Sequence, residues 1–320
     1  TKKVIGYLCD QLHRSVGVNN HLEIDLGIDS LSRVEMGLGL EKLLSVSIPD
    51  EDLGSISTVK ELIAIIFSLR DSSEKPGRAK KLDDKTWAHI LQQPPNESIR
   101  QKIQTKMNFG YWLFAVTSKI FILTLFRIIW LLRIRKTAPL PNNGPCIVCA
   151  NHASYLDGPV IMCSLPFQTV LNTYFLGYTL IFEHPLIRWV MKPAHLVSID
   201  ASVRLMESMQ TTSYILSKQK IVCIFPEAER TIDNQVKKFR KGVGVLVKEL
   251  NVPVIPAYIK GSYHAWRRGN RFPRPYPMKV TFGRPFTKEE LLEGKSSDIA
   301  DDYEAIAQRL REEVIKLKDQ

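Results

Sequence analysis

The sequence predicts a small all-α four-helix domain followed by an α/β domain, a mixed sheet flanked by helices, with an apolar helical hairpin leading into the second. Three observations predict it. Apolar residues recur at helical spacing through the first 70 residues, a strongly apolar stretch fills 111–132, and short β-branched runs alternate with helical stretches from Ala138 onward. Charge divides along the same line. Of the formal +11 over 320 residues, residues 1–71 carry 7 Lys+Arg against 11 Asp+Glu, net −4, and the remainder 37 against 22, net +15. With 44% apolar and 24% charged residues, a largely disordered chain is excluded. A basic excess calls for an acidic partner: nucleic acid, anionic lipid or a phosphorylated substrate. The uneven split disfavours a uniformly basic nucleic-acid binder, so no nucleic-acid partner is expected.

In residues 1–71, Val4, Ile5, Leu8 and Leu12 form one apolar stripe, Leu31, Val34 and Leu38 a second, and Leu62, Ile63 and Ile66 a third. Thr58 and Glu61 have the spacing of a capping box, in which hydroxyl and carboxylate satisfy the first amides of a helix. The stretch from Ile48 to Asp52 reads as a turn with a short helix to follow, which makes four helices. Residues 72–104 change texture. Their Pro and Gly clusters read as a linker, and Trp87, Ile90 and Leu91 within it are spaced to dock on a neighbouring surface.

Residues 105–137 are expected to associate with a membrane. As a single helix, Tyr111 to Leu132 would measure roughly 33 Å, about one bilayer core. Lys119 and Arg127 interrupt it, and Arg133, Arg135 and Lys136 follow. A hairpin lying at the interface, its basic residues against anionic head groups, suits this pattern at least as well as a clean span. A buried core helix is the remaining reading. In residues 138–320, Cys146–Ala150, Lys220–Phe225 and Val252–Ile259 read as strands. Met206–Leu216, Val243–Leu250 and the stripe Tyr303, Ile306, Ala307, Leu310 and Val314 read as helices.

Five cysteines, an odd number, point to a reducing compartment rather than a disulfide framework. Cys146, Cys149, His152 and Cys163 raise a zinc reading. Residues three apart on a strand point to opposite faces, which argues against it, and no metal is assigned.

The run Leu26-Gly27-Ile28-Asp29-Ser30-Leu31 precedes a helix with acidic residues. Taken alone, Asp-Ser in that place is a helix N-cap. After a glycine turn, in a small acidic bundle, it resembles the acyl carrier protein family, and the resemblance covers Thr1 to Asp71. It implies 4′-phosphopantetheine carried covalently on Ser30, installed by a phosphopantetheinyl transferase. It also implies that the helix bearing Glu35 and Glu41 offers an acidic face to basic partners. Gly37 and Gly39 depart from good helix formers, at about 1 kcal/mol each, and predict a distorted helix.

Two further motifs leave strand ends. In Asn151-His152-Ala153-Ser154-Tyr155-Leu156-Asp157, a continuous helix would set His152 and Asp157 about 140° apart. They meet only if His152 lies in the loop and Asp157 just inside the next helix. An imidazole oriented by a carboxylate can then act as general base on a hydroxyl. In Phe225-Pro226-Glu227-Ala228-Glu229-Arg230, the arginine is suited to clamp a phosphate. Together these motifs resemble the glycerophospholipid acyltransferases of the 1-acylglycerol-3-phosphate O-acyltransferase type, from about Asn108 to the C-terminus. The resemblance implies His152 as base, Asp157 as its orienting partner, and Phe225, Pro226, Glu227 and Arg230 as acceptor-binding residues. Backbone amides are expected to hold the oxyanion. Lys237, Lys238, Arg240 and Lys241 read either as part of the phosphate site or as a solvated basic face. Two positions depart from the family's pattern. Ala228 stands where the family usually has Gly, and the run Ser198-Ile199-Asp200 continues with Ala201 where Arg is usual, Arg204 following three residues on.

The expected function is transfer of a fatty acyl group from a thioester, on acyl carrier protein or coenzyme A, to the hydroxyl of a lyso-glycerophospholipid. The expected place is the cytoplasmic face of an inner or plasma membrane, in contact with its lipids. An upstream acyl-adenylating domain is expected in a longer protein. The alternatives are an acyl-CoA-dependent lysophosphatidic acid acyltransferase with a vestigial carrier, and an inactive membrane-bound carrier or scaffold.

Overall fold

Helical periodicity in the first 71 residues builds α1 (Lys2–Leu12), α2 (Ser30–Leu44), α3 (Asp50–Ser55) and α4 (Val59–Asp71). The computed structural model describes residues 1–12, 14–28, 30–44, 46–71, 87–103, 109–177, 195–198, 205–295 and 301–320. Asp29, the linker residues 72–86 and the departing positions 199–204 lie outside them. The chain divides into two units, Thr1–Gln93 with Asp200–Ser208, and Pro94–Ile199 with Met209–Gln320.

In the first unit, Leu8, Leu22, Leu40, Leu53, Ile56 and Leu62 are fully buried in one core. The capping box forms as spaced. Glu61 N donates to Thr58 Oγ1 at 3.2 Å, and Glu61 Oε2 accepts from Thr58 N at 3.3 Å and from Ser57 N at 2.7 Å. Helix α2 runs unbroken through Gly37 and Gly39, against the distortion their propensity predicts. Close packing explains both glycines. A Cβ at Gly39 would fall 1.8 Å from the Tyr7 hydroxyl, and one at Gly37 would fall 2.6 Å from Leu53 Cδ1. The unit continues into α5 (Trp87–Gln92), where Trp87, Ile90 and Leu91 are buried and Trp87 Nε1 donates to Glu35 Oε1 at 2.9 Å.

The second unit opens with α6 (Glu97–Ile103) and α7 (Phe109–Ile129). Its strands are β1 (Arg133–Lys136), β2 (Cys146–Ala150), β3 (Thr173–Gly177), β4 (Leu196–Ser198), β5 (Ile221–Ile224), β6 (Val254–Lys260) and β7 (Lys279–Phe282). Between and after them lie α8 (Asp157–Ser164), α9 (Phe167–Leu171), α10 (Leu205–Ser217, of which Met209 onward belongs to this unit), α11 (Gly242–Leu250), α12 (Ser262–Trp266), α13 (Lys288–Leu292) and α14 (Asp302–Lys316). The sheet order is β1-β7-β6-β2-β5-β3-β4. Every pairing is parallel except β6 with β7, so the mixed sheet expected from sequence is present. Strand β2 is buried along its whole length at the middle of the sheet.

The apolar segment differs from expectation in form. Among the described residues it is one helix, α7, and the second arm of a hairpin is not among them. One side of α7 packs Ile122 and Phe126 into the core of the unit, with Trp130 following. The other side leaves Phe109, Leu113, Ile120, Phe121 and Ile128 exposed. Lys119, a charge that counts against a clean span, turns inward. Its Nζ donates to the carbonyls of Cys163, at 3.2 Å, and Leu165, where α8 ends and unpaired carbonyls collect.

Candidate active site

Because β2 is parallel to both β5 and β6, the three strands deliver their C-terminal loops to one edge of the sheet, where open α/β sheets place their ligands. The loop after β2 begins with Asn151. Its buried amide is matched to the β6 backbone in both directions, Oδ1 accepting from Ile259 N at 2.7 Å and Nδ2 donating to Ile259 O at 3.2 Å. This fixes the point at which His152 leaves the strand.

Asp157 is the first residue of α8 and His152 stands in the loop, the arrangement their five-residue spacing requires. Asp157 is fully buried, and its Oδ2 lies 2.9 Å from His152 Nδ1. The same oxygen accepts from Ala153 N at 2.6 Å and Ser154 N at 2.7 Å. One carboxylate therefore folds the loop and orients the imidazole together. With Nδ1–H donated to Asp157, Nε2 is left for a substrate hydroxyl. The ring is 24% exposed and stacks on Phe225, with centroids 4.5 Å apart.

Glu227, expected to bind the acceptor, is buried here against the protein's own amides. It is 4% exposed, and its two oxygens accept from His152 N at 2.7 Å and Lys237 N at 2.8 Å. Burial pushes its carboxyl up from the ordinary carboxylate range, against the lowering effect of those two amides. Amides leaving strand ends need acceptors, and this carboxylate supplies them to two loops at once. Pro226 is likewise internal, its carbonyl accepting from Arg240 N at 2.8 Å. The Arg240 side chain is exposed. Lys238 is engaged at 2.5 Å by Glu304 of α14, and Lys241 pairs with Asp301 at 2.9 Å. Two of the four basic residues, Lys238 and Lys241, thus pair with the start of the last helix, Lys238 with its side chain largely in solvent.

Arg230 remains turned to the loop after β2. Its guanidinium lies 3.4 Å over the ring of Tyr155, and its Nη1 is buried with no partner among the described residues. Tyr155 and Ser154 are parts of the site that residue-type reasoning passed over. Ser154 Oγ donates to Trp266 O at 2.8 Å, and the Tyr155 ring lies 5.1 Å from that of Trp266. Both sit inside the His152–Asp157 motif, which was the available signal. The amides of residues 152–154 are all taken by carboxylates, so an oxyanion must find its donors elsewhere.

Ala228 has φ +62°, the left-handed region that favours glycine. This is the position where the family pattern has Gly. The cysteines of the central strands are buried, and burial pushes the Cys146 thiol up to about 12.

In the first unit Ser30 opens α2, a 15-residue helix whose first-turn amides lack helical partners. A hydroxyl-bearing residue there, next to donors suited to a phosphodiester, fits attachment of phosphopantetheine. The position of the Ser30 side chain lies outside the described residues.

Residues 132–260 match the family described as Acyltransferase, and residues 2–66 match the one described as Phosphopantetheine attachment site. The 1-acyl-sn-glycerol-3-phosphate acyltransferase of Limnanthes douglasii is 28% identical over 155 residues, 48% of this chain and 54% of that protein. The meromycolate extension acyl carrier protein of Mycolicibacterium aurum is 44% identical over 61 residues, 19% of this chain and 61% of that protein. Among solved structures, the 1-acyl-sn-glycerophosphate (LPA) acyltransferase PlsC of Thermotoga maritima is similar with a TM-score of 0.49 and 20% identity, covering 70% of this chain and 88% of that one. The chain spans about half the length of the curated acyltransferases it matches. By these matches the chain joins a phosphopantetheine attachment domain of the acyl carrier type to a domain of the acyltransferase family.

Proposed function

We propose that this chain transfers a fatty acyl group from a thioester to the free hydroxyl of a lyso-glycerophospholipid, at the cytoplasmic face of a membrane. The observation that carries the reading is the His152–Asp157 pair, 2.9 Å apart with Asp157 fully buried. When bound at Ser30, phosphopantetheine supplies a thiol on which an acyl group rides as a thioester. His152 Nε2 takes the acceptor's hydroxyl proton as that oxygen attacks the thioester carbonyl. Asp157 stabilises the imidazolium that forms. An ester C–O bond forms, the C–S bond breaks, and the proton on His152 passes to the departing sulfur. Arg230, with an unmatched buried donor, is suited to hold negative charge on the acceptor.

The exposed side of α7 supports the membrane reading. Phe109, Leu113, Ile120, Phe121 and Ile128 stand in solvent on a helix whose opposite side is packed, and its one inward charge is satisfied by the end of α8. Such a helix lies along a lipid surface with its apolar face in the acyl region.

His152→Ala tests the reaction. Transfer to a lyso-phospholipid should fall by about 10²–10⁴, the worth of a positioned base. Turnover near that of the unaltered chain would overturn the mechanism.

A further inference from the structure

The loop joining β6 to β7 packs onto the catalytic loop and carries charge the mechanism has not used. Trp266 O accepts the Ser154 hydroxyl, and Trp266 Nε1 donates to Asn270 O at 2.9 Å, closing a tight turn over residues 266–270. Arg267 and Arg268, inside that turn, are exposed. They line an open concavity together with Thr231, Tyr263 and Asn270. Thr231 is the link to the chemistry, because its amide donates to the carbonyl of His152 at 2.9 Å. Tyr263 is held in place by donating its hydroxyl to Ile232 O at 2.6 Å.

The local charge is unbalanced. Arg268 lies 3.6 Å from Glu229, with both side chains more than half exposed, which is a weak, solvent-screened pair. Glu229 also faces Lys237 at 3.9 Å, and Asp233 accepts the Thr231 hydroxyl at 2.6 Å, so two carboxylates stand among Arg230, Lys237, Arg267 and Arg268. Arg230 follows Glu229 in the chain and lies over Tyr155, whose ring in turn lies against Trp266. Guanidinium groups at the wall of an open concavity match phosphate oxygens in geometry and sign.

We propose that Arg267 and Arg268 are acceptor-binding residues, forming beside His152 a site for the phosphate of the acceptor's head group. The inference rests on the proposed acyl transfer and assigns that reaction a second anchoring wall, supplied by the β6–β7 loop. An acceptor whose phosphate sits in this concavity is held beside the loop that carries His152. Inorganic phosphate carries the same chemistry and should compete for the site.

The test is steady-state acylation by the full chain and by Arg267→Ala/Arg268→Ala, using monomeric short-chain 1-acylglycerol 3-phosphate and its phosphate-free counterpart 1-acylglycerol. The double variant should raise KM for the phosphorylated acceptor about 10–100-fold, leave kcat within threefold and leave both constants for 1-acylglycerol unchanged. Inorganic phosphate should inhibit the unaltered chain competitively against the phosphorylated acceptor and the variant far less. Arg267→Lys/Arg268→Lys should restore part of the loss. An equal loss with both acceptors, or none with either, would overturn the proposal. So would unchanged KM accompanied by weaker sedimentation with phosphatidylglycerol vesicles, which would assign the arginines to membrane adhesion. Equilibrium binding of 1-acylglycerol 3-phosphate to His152→Ala, with and without the two arginine substitutions, separates the two levels. Lost transfer by the unaltered chain with arginine-dependent binding would contradict the reaction alone, and arginine-independent binding would contradict the site.

Discussion

The two units employ their carboxylates in the same way at the level of the backbone and to different ends at the level of function. In the acyltransferase unit, Asp157 and Glu227 are buried and gather amides from loops that leave the sheet, and one of them also holds the imidazole. In the carrier unit, Glu41 is equally buried and accepts from Ile48 N at 2.7 Å, and Glu35 accepts the indole N–H of Trp87. The acidic face expected on α2 is therefore partly spent inside its own unit. Glu41 shapes the turn into α3, and Glu35 anchors α5. An acidic residue next to a tight turn is as apt to serve the chain's own amides as a partner's cations. Asp157 differs in that it holds the His152 ring by a hydrogen bond, 2.9 Å from Nδ1, and it is the carboxylate that the proposed reaction uses.

Substitution at each kind of carboxylate should separate the two roles. Asp157→Asn keeps the side chain's shape but presents a neutral amide to His152, removing the charge that stabilises the imidazolium. The expected fall in kcat is on the order of 10³, read in acyl transfer to a lyso-phospholipid with folding checked by circular dichroism. Glu41→Ala is the contrasting case. Loss of the buried acceptor should destabilise the carrier unit by about 1–3 kcal/mol in urea, with transfer from externally supplied acyl-CoA unchanged. A matching loss of catalysis would break the distinction between the two units. Ala228→Gly relieves a left-handed backbone and should stabilise the acyltransferase unit by about 1 kcal/mol, visible as a raised Tm with His152 chemistry intact.

The smallest effect concerns surface carboxylates. Asp302 is held at a pKa of about 2 by hydrogen bonds from Lys248 and Lys295. A folded-state pKa below the ordinary value of 3.8 means its contribution is present above about pH 4 and is lost as pH falls toward 2. Asp302→Asn should thus lower Tm slightly at pH 7 and by much less at pH 2. An undiminished difference at pH 2 would assign the effect to packing of α14 rather than to charge.

Much of this molecule was legible in the sequence where a local rule has one solution. The capping box at Thr58 and Glu61 needs only spacing, and the strands at Cys146, Ile221 and Val254 need only β-branched runs between breakers. The His152–Asp157 geometry followed from helix pitch. What the sequence hid are choices made by tertiary packing. Glu227 looked like a ligand-binding carboxylate because nothing local tells that the amides of His152 and Lys237, 85 residues apart in the chain, converge on it. Gly37 and Gly39 looked like weaknesses in α2 until Leu53 and Tyr7 were seen to occupy the space. Lys238 looked available, but its partner Glu304 lies 66 residues away. Tyr155 and Trp266 draw their importance from each other, and no single-residue signal marks either.

The central claim is that His152, held by Asp157, moves an acyl group from a thioester to a lyso-phospholipid. Intact mass of the phosphopantetheinylated chain, acylated on Ser30 and then mixed with a lyso-phospholipid, reads that step directly. The account predicts loss of the acyl mass with matching diacyl phospholipid, and in His152→Ala an adduct that persists about 10²-fold longer or more. Equal rates of acyl loss and product formation in the two chains would contradict it.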